Sequence, residues 1–299
     1  MAGPEWELTI SLRAMQRSRT TLEDFTLSYF PYLGLVPPEK HLFKRLDVLV
    51  WLEASVYQLD EENELLSRGG ADSAGRQPRM LSDSAVARGL QQLGLHDARI
   101  EHEISQADAY WGLERSLTAN MLAAGVADEH GGGAGGVITL IDVMRAHEAK
   151  SFDYRLLFLV LHKAESRPYD DALLAFLRAD ERLVDIGDDL TDYEDDVEAN
   201  SFNIYRGFIW LYGRDAQLKL VELISELEAE HARLLAALDA PTRAHYWARH
   251  ADASEQPGSG RWAFPSPIFD EAGFREMCAE HEAAGGGVGQ QRPGGGRMP

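Results

Sequence analysis

The sequence has very little cysteine and no long apolar run. Cys278 is the single cysteine in 299 residues, and one thiol cannot form an internal disulfide. The sequence therefore predicts a protein of a reducing compartment rather than a disulfide-stabilised secreted domain. No segment approaches the about 18 to 20 uninterrupted apolar residues that span a bilayer, so we expect no stable membrane insertion.

Basic residues are scarce relative to acidic ones. The chain has 29 Lys and Arg against 49 Asp and Glu, which gives a formal net charge of −20. Such a chain repels a polyanionic backbone and offers few cations for counterion release, so we expect no nucleic-acid partner. Residues 11–21 differ, with three arginines among serine and threonine. This segment leaves a plastid as the alternative to the expected cytoplasmic location.

Strand patterns are almost absent, whereas apolar residues recur at helical spacing between Gly- and Pro-containing breaks. We therefore predict an all-α fold, a single-domain helical bundle over residues 20–284. An N-terminal extension at 1–19 precedes it, and a glycine-rich, disordered tail at 285–299 follows it. The predicted helices lie at about 20–30, 39–65, 82–93, 97–124, 138–163, 169–198, 201–212, 214–238 and 241–253.

Acidic residues are concentrated at two of the predicted helix ends. The helix that begins near Glu39 is apolar for most of its length and then runs through Asp60-Glu-Glu-Asn-Glu64. Asp60 and Glu64 are four residues apart and so share one face of a helix. Two carboxylates at this spacing can hold Mg²⁺, which prefers oxygen ligands. A solvated helix end is the alternative interpretation.

The second acidic segment is Asp185-Ile-Gly-Asp-Asp-Leu-Thr-Asp-Tyr-Glu-Asp-Asp196, which contains no Lys or Arg. Within it, Asp188, Asp192 and Asp196 recur every four residues and share one stripe of the predicted helix. Like charges at this spacing destabilise a helix by about 0.2–0.5 kcal/mol a pair, so an uninterrupted acidic run favours a bound cation. An amphipathic helix with a solvated acidic face is the alternative.

The two acidic helix ends together resemble the class I terpenoid (isoprenoid) synthase superfamily, over roughly residues 20–250. In that superfamily a D-D-x-x-D/E motif on one helix faces a second metal motif, N-D-x-x-S-x-x-x-E or a further D-D-x-x-D. The resemblance matches Asp60 and Glu64 to the first motif, without its paired aspartates. It matches Asp188, Asp192 and Asp196 to the second. A competing register, Asp185-Ile-Gly-Asp-Asp189, is similar to the phytoene synthase group, and both registers stay open.

This resemblance implies a fold of the class I isoprenoid synthase type, Mg²⁺ as cofactor, and a prenyl diphosphate as substrate. The expected activity is that of a terpene synthase, a lyase that releases diphosphate and guides a carbocation. Arg155 and Arg206 are the candidates for contacting the diphosphate, and Arg261 beside Trp262 is a weaker one, with ordinary salt bridges as the alternative. A monomer or a homodimer is expected.

Two further functions stay open at this point. A prenyltransferase of the same superfamily would join the prenyl chain to a second substrate, and a non-catalytic protein would retain the fold without the chemistry. Aromatic side chains could stabilise a carbocation or could simply fill the core. The candidates are Tyr57, Phe152, Tyr154, Phe158, Phe208, Trp210 and Tyr212.

Overall fold

The structure, a computed structural model, describes residues 9–67, 77–254 and 262–285. In these ranges the regular backbone is helical and no strand forms, apart from one isolated bridge between Val126 and Asp270. The all-α prediction is confirmed. The helices are α1 (Leu12–Tyr29), α2 (Glu39–Leu42), α3 (Leu46–Ser67), α4 (Ala85–Gln92), α5 (Ala98–Ala124), α6 (Gly133–Gly136), α7 (Leu140–Ala149), α8 (Phe152–Ala164), α9 (Asp171–Thr191), α10 (Tyr193–Ala199), α11 (Ile204–Tyr212), α12 (Ala216–Ala237), α13 (Ala240–Ser254) and α14 (Glu271–Gly285).

The first helix begins at Leu12 rather than near residue 20. Ser11 caps it, since its hydroxyl oxygen accepts a hydrogen bond from the backbone N–H of Ala14 at 2.9 Å. Residues 12–19, expected in an N-terminal extension, are therefore the first turns of a helix that packs against α3. The glycine-rich tail from residue 286 onward lies outside the described residues.

Besides the segment predicted at 39–65, which forms α2 and α3, two predicted helices are each divided in the structure. The segment predicted at 138–163 forms α7 and α8, which are separated by Lys150 and Ser151. The segment predicted at 169–198 forms α9 and α10, which meet at Asp192. Both divisions lie beside the acidic segment that is the candidate site.

The division at Asp192 has a local cause. This residue has φ −94° and ψ 8°, outside the helical region. One residue earlier, the hydroxyl of Thr191 donates to the carbonyl oxygen of Gly187 at 3.0 Å. Such a bond from a threonine to the carbonyl four residues back bends a helix. The helix axis therefore changes direction within the acidic run.

Helix α8 lies at the centre of the fold. Each of its residues from Phe152 to His162 is buried, as expected for a helix that is apolar on all sides. It packs against α3 and α5, while α9 packs against α12 and α11 against α7 and α12. None of the helices in the described ranges is both long enough and apolar enough to cross a membrane.

Most of the aromatic candidates belong to this core. Five of them are buried in one continuous apolar cluster, and two are only partly buried. The buried ones are Phe152, Tyr154, Phe158, Phe208 and Trp210, and the others are Tyr57 and Tyr212. Their burial agrees with core packing, and a role in stabilising a carbocation stays a prediction.

Candidate functional site

The two acidic helix ends meet at one end of the bundle. The side-chain amide of Asn200, which follows α10, donates to the carbonyl oxygen of Ser67 at the end of α3 (3.0 Å). Glu114 of α5 lies between them. It accepts hydrogen bonds from the backbone N–H of Phe202 at 3.3 Å and from the side chain of Asn63 at 2.8 Å. Asn63 belongs to the first acidic segment, so Glu114 connects that segment to the residues that follow the second.

Asp60 and Glu64, which we call the first acidic pair, share one arginine. The guanidinium of Arg17 on α1 lies 3.1 Å from Asp60 Oδ2 and 3.4 Å from Glu64 Oε1. It also lies over the ring of Tyr57, 4.2 Å from the centroid. The second oxygen of Asp60 accepts a hydrogen bond from the indole N–H of Trp111 at 3.1 Å. The two carboxylates therefore share one face, as predicted, and a basic side chain bridges them.

In the second acidic segment, Asp185, Asp189 and Asp196 surround one lysine. We call these three carboxylates and Lys150 the Lys150 cluster. The ammonium of Lys150 is paired with Asp189, and the carboxylates of Asp189, Asp185 and Asp196 raise its pKa although burial lowers it. Asp189 also accepts a hydrogen bond from the backbone N–H of Ile204 at 2.6 Å. Burial opposes the charge on Asp189, but both donors stabilise its carboxylate, so we describe the pair as ionised.

Hydrogen bonds hold the other two carboxylates of this cluster. Asp185 accepts from the hydroxyl of Ser151, at 2.9 and 2.8 Å to its two oxygens, and Asp196 accepts from the side chain of Asn203 at 2.9 Å. Burial, and next the charge of Asp189, raise the pKa of Asp196 to about 7. The cluster is a concentration of negative charge that one ammonium compensates only in part.

The two registers proposed for this motif differ in burial. Asp185 and Asp189 are 2% and 1% exposed, whereas Asp188 and Asp192 are intermediate. The helix is divided at Asp192, so Asp188 and Asp196 lie on different helices, α9 and α10. The geometry favours the register of Asp185 and Asp189, with Asp196 added from α10. Asp192 stays within electrostatic reach, since burial raises its pKa and Lys150 lowers it.

Glu114 couples the two acidic groups electrostatically. Burial, followed by the negative charges of Asp60 and Glu64, raises its pKa to about 8, while the ammonium of Lys150 and the hydrogen bond from Phe202 act in the opposite direction. Charges from both acidic groups thus act on one buried carboxyl group. This agrees with the contacts that bring the ends of α3 and α10 together.

Arg155 is engaged inside the protein. Its side chain is 9% exposed and pairs with Glu103 at 2.9 Å and with Glu181 at 3.0 Å. A further guanidinium nitrogen donates to the carbonyl oxygen of Ala149 at 3.3 Å. These contacts indicate that Arg155 ties α5, α8 and α9 together, which leaves it poorly placed for the expected diphosphate contact.

Arg206 is likewise structural in its contacts. It is completely buried and donates to both carboxylate oxygens of Glu271, at 2.8 and 2.7 Å. Trp210 donates to the same carboxylate at 2.7 Å. These bonds anchor α14, a helix that the sequence did not predict. The third arginine candidate, Arg261, lies outside the described residues.

The sequence did not predict the basic partners of the two acidic groups, Arg17 and Lys150, or Glu114, which links the groups. A signal for Glu114 was present, because it falls on the buried stripe of α5 with Tyr110, Trp111 and Leu117, and an acid on an apolar stripe needs a partner. Nothing comparable distinguished Arg17 or Lys150, whose partners lie 43 and 39 residues away in the chain.

The donor set fits Mg²⁺ chemically, because every proposed ligand is a carboxylate oxygen. Arg17 and Lys150 now compensate the charges that the metal would compensate. Across residues 9–67, 77–254 and 262–285, no three acidic, histidine or cysteine side chains already form a metal-binding group. Binding would therefore require these basic side chains to move. Comparisons with protein-family models, with curated proteins and with solved structures find no match to this chain.

Proposed function

We propose that the protein is a Mg²⁺-dependent terpene synthase that acts on a prenyl diphosphate. The observation that carries the proposal is the meeting of the two acidic helix ends around Glu114 at one end of an all-α bundle. This arrangement agrees with the resemblance to class I isoprenoid synthases. When bound, Mg²⁺ would neutralise the diphosphate and stabilise it as a leaving group.

The proposed metal ligands come from both acidic groups. In this proposal Asp60 and Glu64 hold the metal on one side, and Asp185, Asp189 and Asp196 hold it on the other. Asp188 and Asp192 are the residues that the alternative register would add at the more exposed edge.

Lys150 is better placed than Arg155 or Arg206 to contact the diphosphate. Its ammonium already lies among the carboxylates of the second group, with 15% of the side chain exposed. The prenyltransferase reaction uses the same ionisation step and stays as the alternative within this class.

The basic side chains that already pair with the two acidic groups favour a second candidate function, that of a non-catalytic helical protein. Arg17 bridges the first acidic pair and Lys150 pairs with Asp189, so both groups are partly compensated without metal. In this case the acids would stabilise the fold through their basic partners. The two candidates differ in whether Mg²⁺ and diphosphate bind at all.

A binding experiment separates the two candidates. We would measure the thermal shift of the full chain with Mg²⁺ and inorganic pyrophosphate, each alone and together. A terpene synthase should be stabilised by the combination, because a ligand that binds only the folded state raises its stability. Asp196→Asn should weaken this effect, whereas Glu194→Gln, an exposed acid of the same helix, should not. The absence of any shift in the unmodified chain would favour the non-catalytic protein.

An activity experiment then separates the two reactions. Radiolabelled geranyl, farnesyl and geranylgeranyl diphosphates would be incubated with the protein and Mg²⁺, with and without isopentenyl diphosphate. A terpene synthase releases a product from the single substrate. Product formed only in the presence of isopentenyl diphosphate would instead identify a prenyltransferase.

A further inference from the structure

Arg17 spans the whole first acidic pair. One guanidinium nitrogen is 3.1 Å from Asp60 and another is 3.4 Å from Glu64, and the same group lies 4.2 Å above the ring of Tyr57. The carboxylates raise the pKa of Arg17 against the effect of burial. A single positive charge therefore covers two carboxylates that would otherwise repel each other across one helical turn.

The exposure of this contact makes it easy to displace. The side chain of Arg17 is 32% exposed, and those of Asp60 and Glu64 are 21% and 22% exposed. Lys150 and Asp189, by comparison, are 15% and 1% exposed. Ion pairs near solvent contribute little net stability, so a divalent cation can compete for the first acidic pair more readily than for Asp189.

The helix that carries Arg17 is attached differently at its two ends. Its first turn contacts α3 through polar groups: the hydroxyl of Ser11 donates to Glu61 at 3.0 Å, and Arg13 pairs with Glu61 at 3.4 Å while 66% of its side chain is exposed. Leu12 in this turn is 71% exposed, whereas Phe25 further along is completely buried. Ala14 is the one buried side chain among residues 12–17, so the guanidinium of Arg17 can move while little apolar surface leaves the core.

We propose that Arg17 is an autoinhibitory latch: its guanidinium closes the first acidic pair in the resting protein and is displaced when Mg²⁺ and diphosphate bind. This inference rests on the proposed function. It adds that the first turns of α1, which lie before the expected domain boundary, control access of the metal to Asp60 and Glu64.

The test compares Arg17→Gln with Arg13→Gln in the full chain. Arg13 pairs with Glu61 in the same interface between α1 and α3 but does not contact Asp60 or Glu64 in the described contacts. Titration calorimetry would measure the affinity for Mg²⁺ in the presence of inorganic pyrophosphate. Arg17→Gln should tighten binding by about three- to five-fold, and Arg13→Gln should leave it unchanged. Circular dichroism and urea unfolding would confirm that both variants fold.

Hydrogen exchange gives a second, independent measurement. In the unmodified chain, amides of residues 12–18 should exchange faster when Mg²⁺ and pyrophosphate are added, because the latch contact is lost. Unchanged or slower exchange there would overturn the latch.

The binding outcomes separate the latch from the proposed function. If the unmodified chain binds but Arg17→Gln binds equally or less tightly, the latch is wrong and the proposed function stands; weaker binding would assign Arg17 to the diphosphate. If neither protein binds, both ideas fail. Binding by Arg17→Gln alone would overturn the displacement step, because Mg²⁺ and pyrophosphate would then be unable to move Arg17 in the unmodified chain.

Discussion

Replacing Lys150 by Met should reveal how much the protein depends on compensating its second acidic group. Lys150 is 15% exposed and its partner Asp189 is 1% exposed. Removing one member of a buried ion pair leaves an uncompensated buried charge, which costs about 3–5 kcal/mol. Asp185 and Asp196 lie in the same cluster and lose the same cation, so we expect the upper part of this range. The free energy of unfolding would be measured with urea and followed by circular dichroism.

Lys163→Met is the matched control. Lys163 lies 3.4 Å from Asp97, and the two side chains are 33% and 27% exposed. A partly solvated pair of this kind contributes at most about 1 kcal/mol, so the two variants should differ by several-fold in their effect. The same hydrocarbon replacement is made in both, which isolates burial as the variable.

Two further measurements complete the experiment. The double variant Lys150→Met and Asp189→Asn should recover part of the loss, because it removes the uncompensated charge and leaves an amide oxygen to accept from Ile204. If Mg²⁺ binds at the cluster, it should stabilise Lys150→Met by about 2.7 kcal/mol at a hundredfold excess over its dissociation constant. A loss below about 1 kcal/mol in Lys150→Met would refute the assignment of a charged, buried pair.

Three other substitutions test buried groups. Glu114→Gln should make the free energy of unfolding less dependent on pH. The pKa of Glu114 is raised from 4.5 to about 8, so its contribution is present below pH 4.5 and is lost as the pH rises through 8, by a few kcal/mol in total. His147→Leu should stabilise the protein by about 1–2 kcal/mol at pH 7, because neither ring nitrogen has a partner among the described residues. Glu271→Gln should cost about 3–5 kcal/mol and expose α14 to limited proteolysis, since Arg206 stays buried without its carboxylate.

Each of these expectations has a clear counter-result. Equal pH profiles for the unmodified chain and Glu114→Gln would show that the Glu114 carboxyl is not held in its neutral form. For His147, burial lowers the pKa well below 6.5, so stability should fall as the pH drops below 6.5; the leucine variant must show less of this fall. Glu276→Gln, at an exposed acid on the same helix, should be neutral, and an equal effect there would remove the role assigned to Glu271.

The sequence predicted the helical class well, because apolar periodicity reports directly on which faces are buried. Helix α8 is an example: it lies in the helix predicted at 138–163, and its largely apolar run from Phe152 to Leu161 is buried. The break before it was not predicted, since no Gly or Pro marks it. The contacts at this break, from Ser151 to Asp185 and from Lys150 to Asp189, are made across the fold. Patterns within a short segment carry no information about such partners.

Of the candidate site, the sequence predicted the acidic segments but not the residues that contact them. Clusters of like charge are visible in a sequence, so both acidic helix ends were found. Their partners were not: Arg17 lies before the predicted domain, and Glu114 lies in a helix whose sequence carries no acidic motif. Arg155 and Arg206 were chosen by resemblance, and both make buried contacts with other acids. Charge composition locates a carboxylate-rich region, but only the packing of helices decides which base meets which acid.

The bend at Asp192 determines how far apart two charges lie. In a continuous helix, Asp189 and Asp196 would be separated by about 10 Å along the axis. With the helix turned at this point, Asp196 instead acts on Asp189 and on Lys150. Backbone direction at a single residue thus controls local charge density. Changes in sequence at Thr191 or Asp192 should therefore alter the charge density at Lys150 without altering any of the carboxylates that surround it.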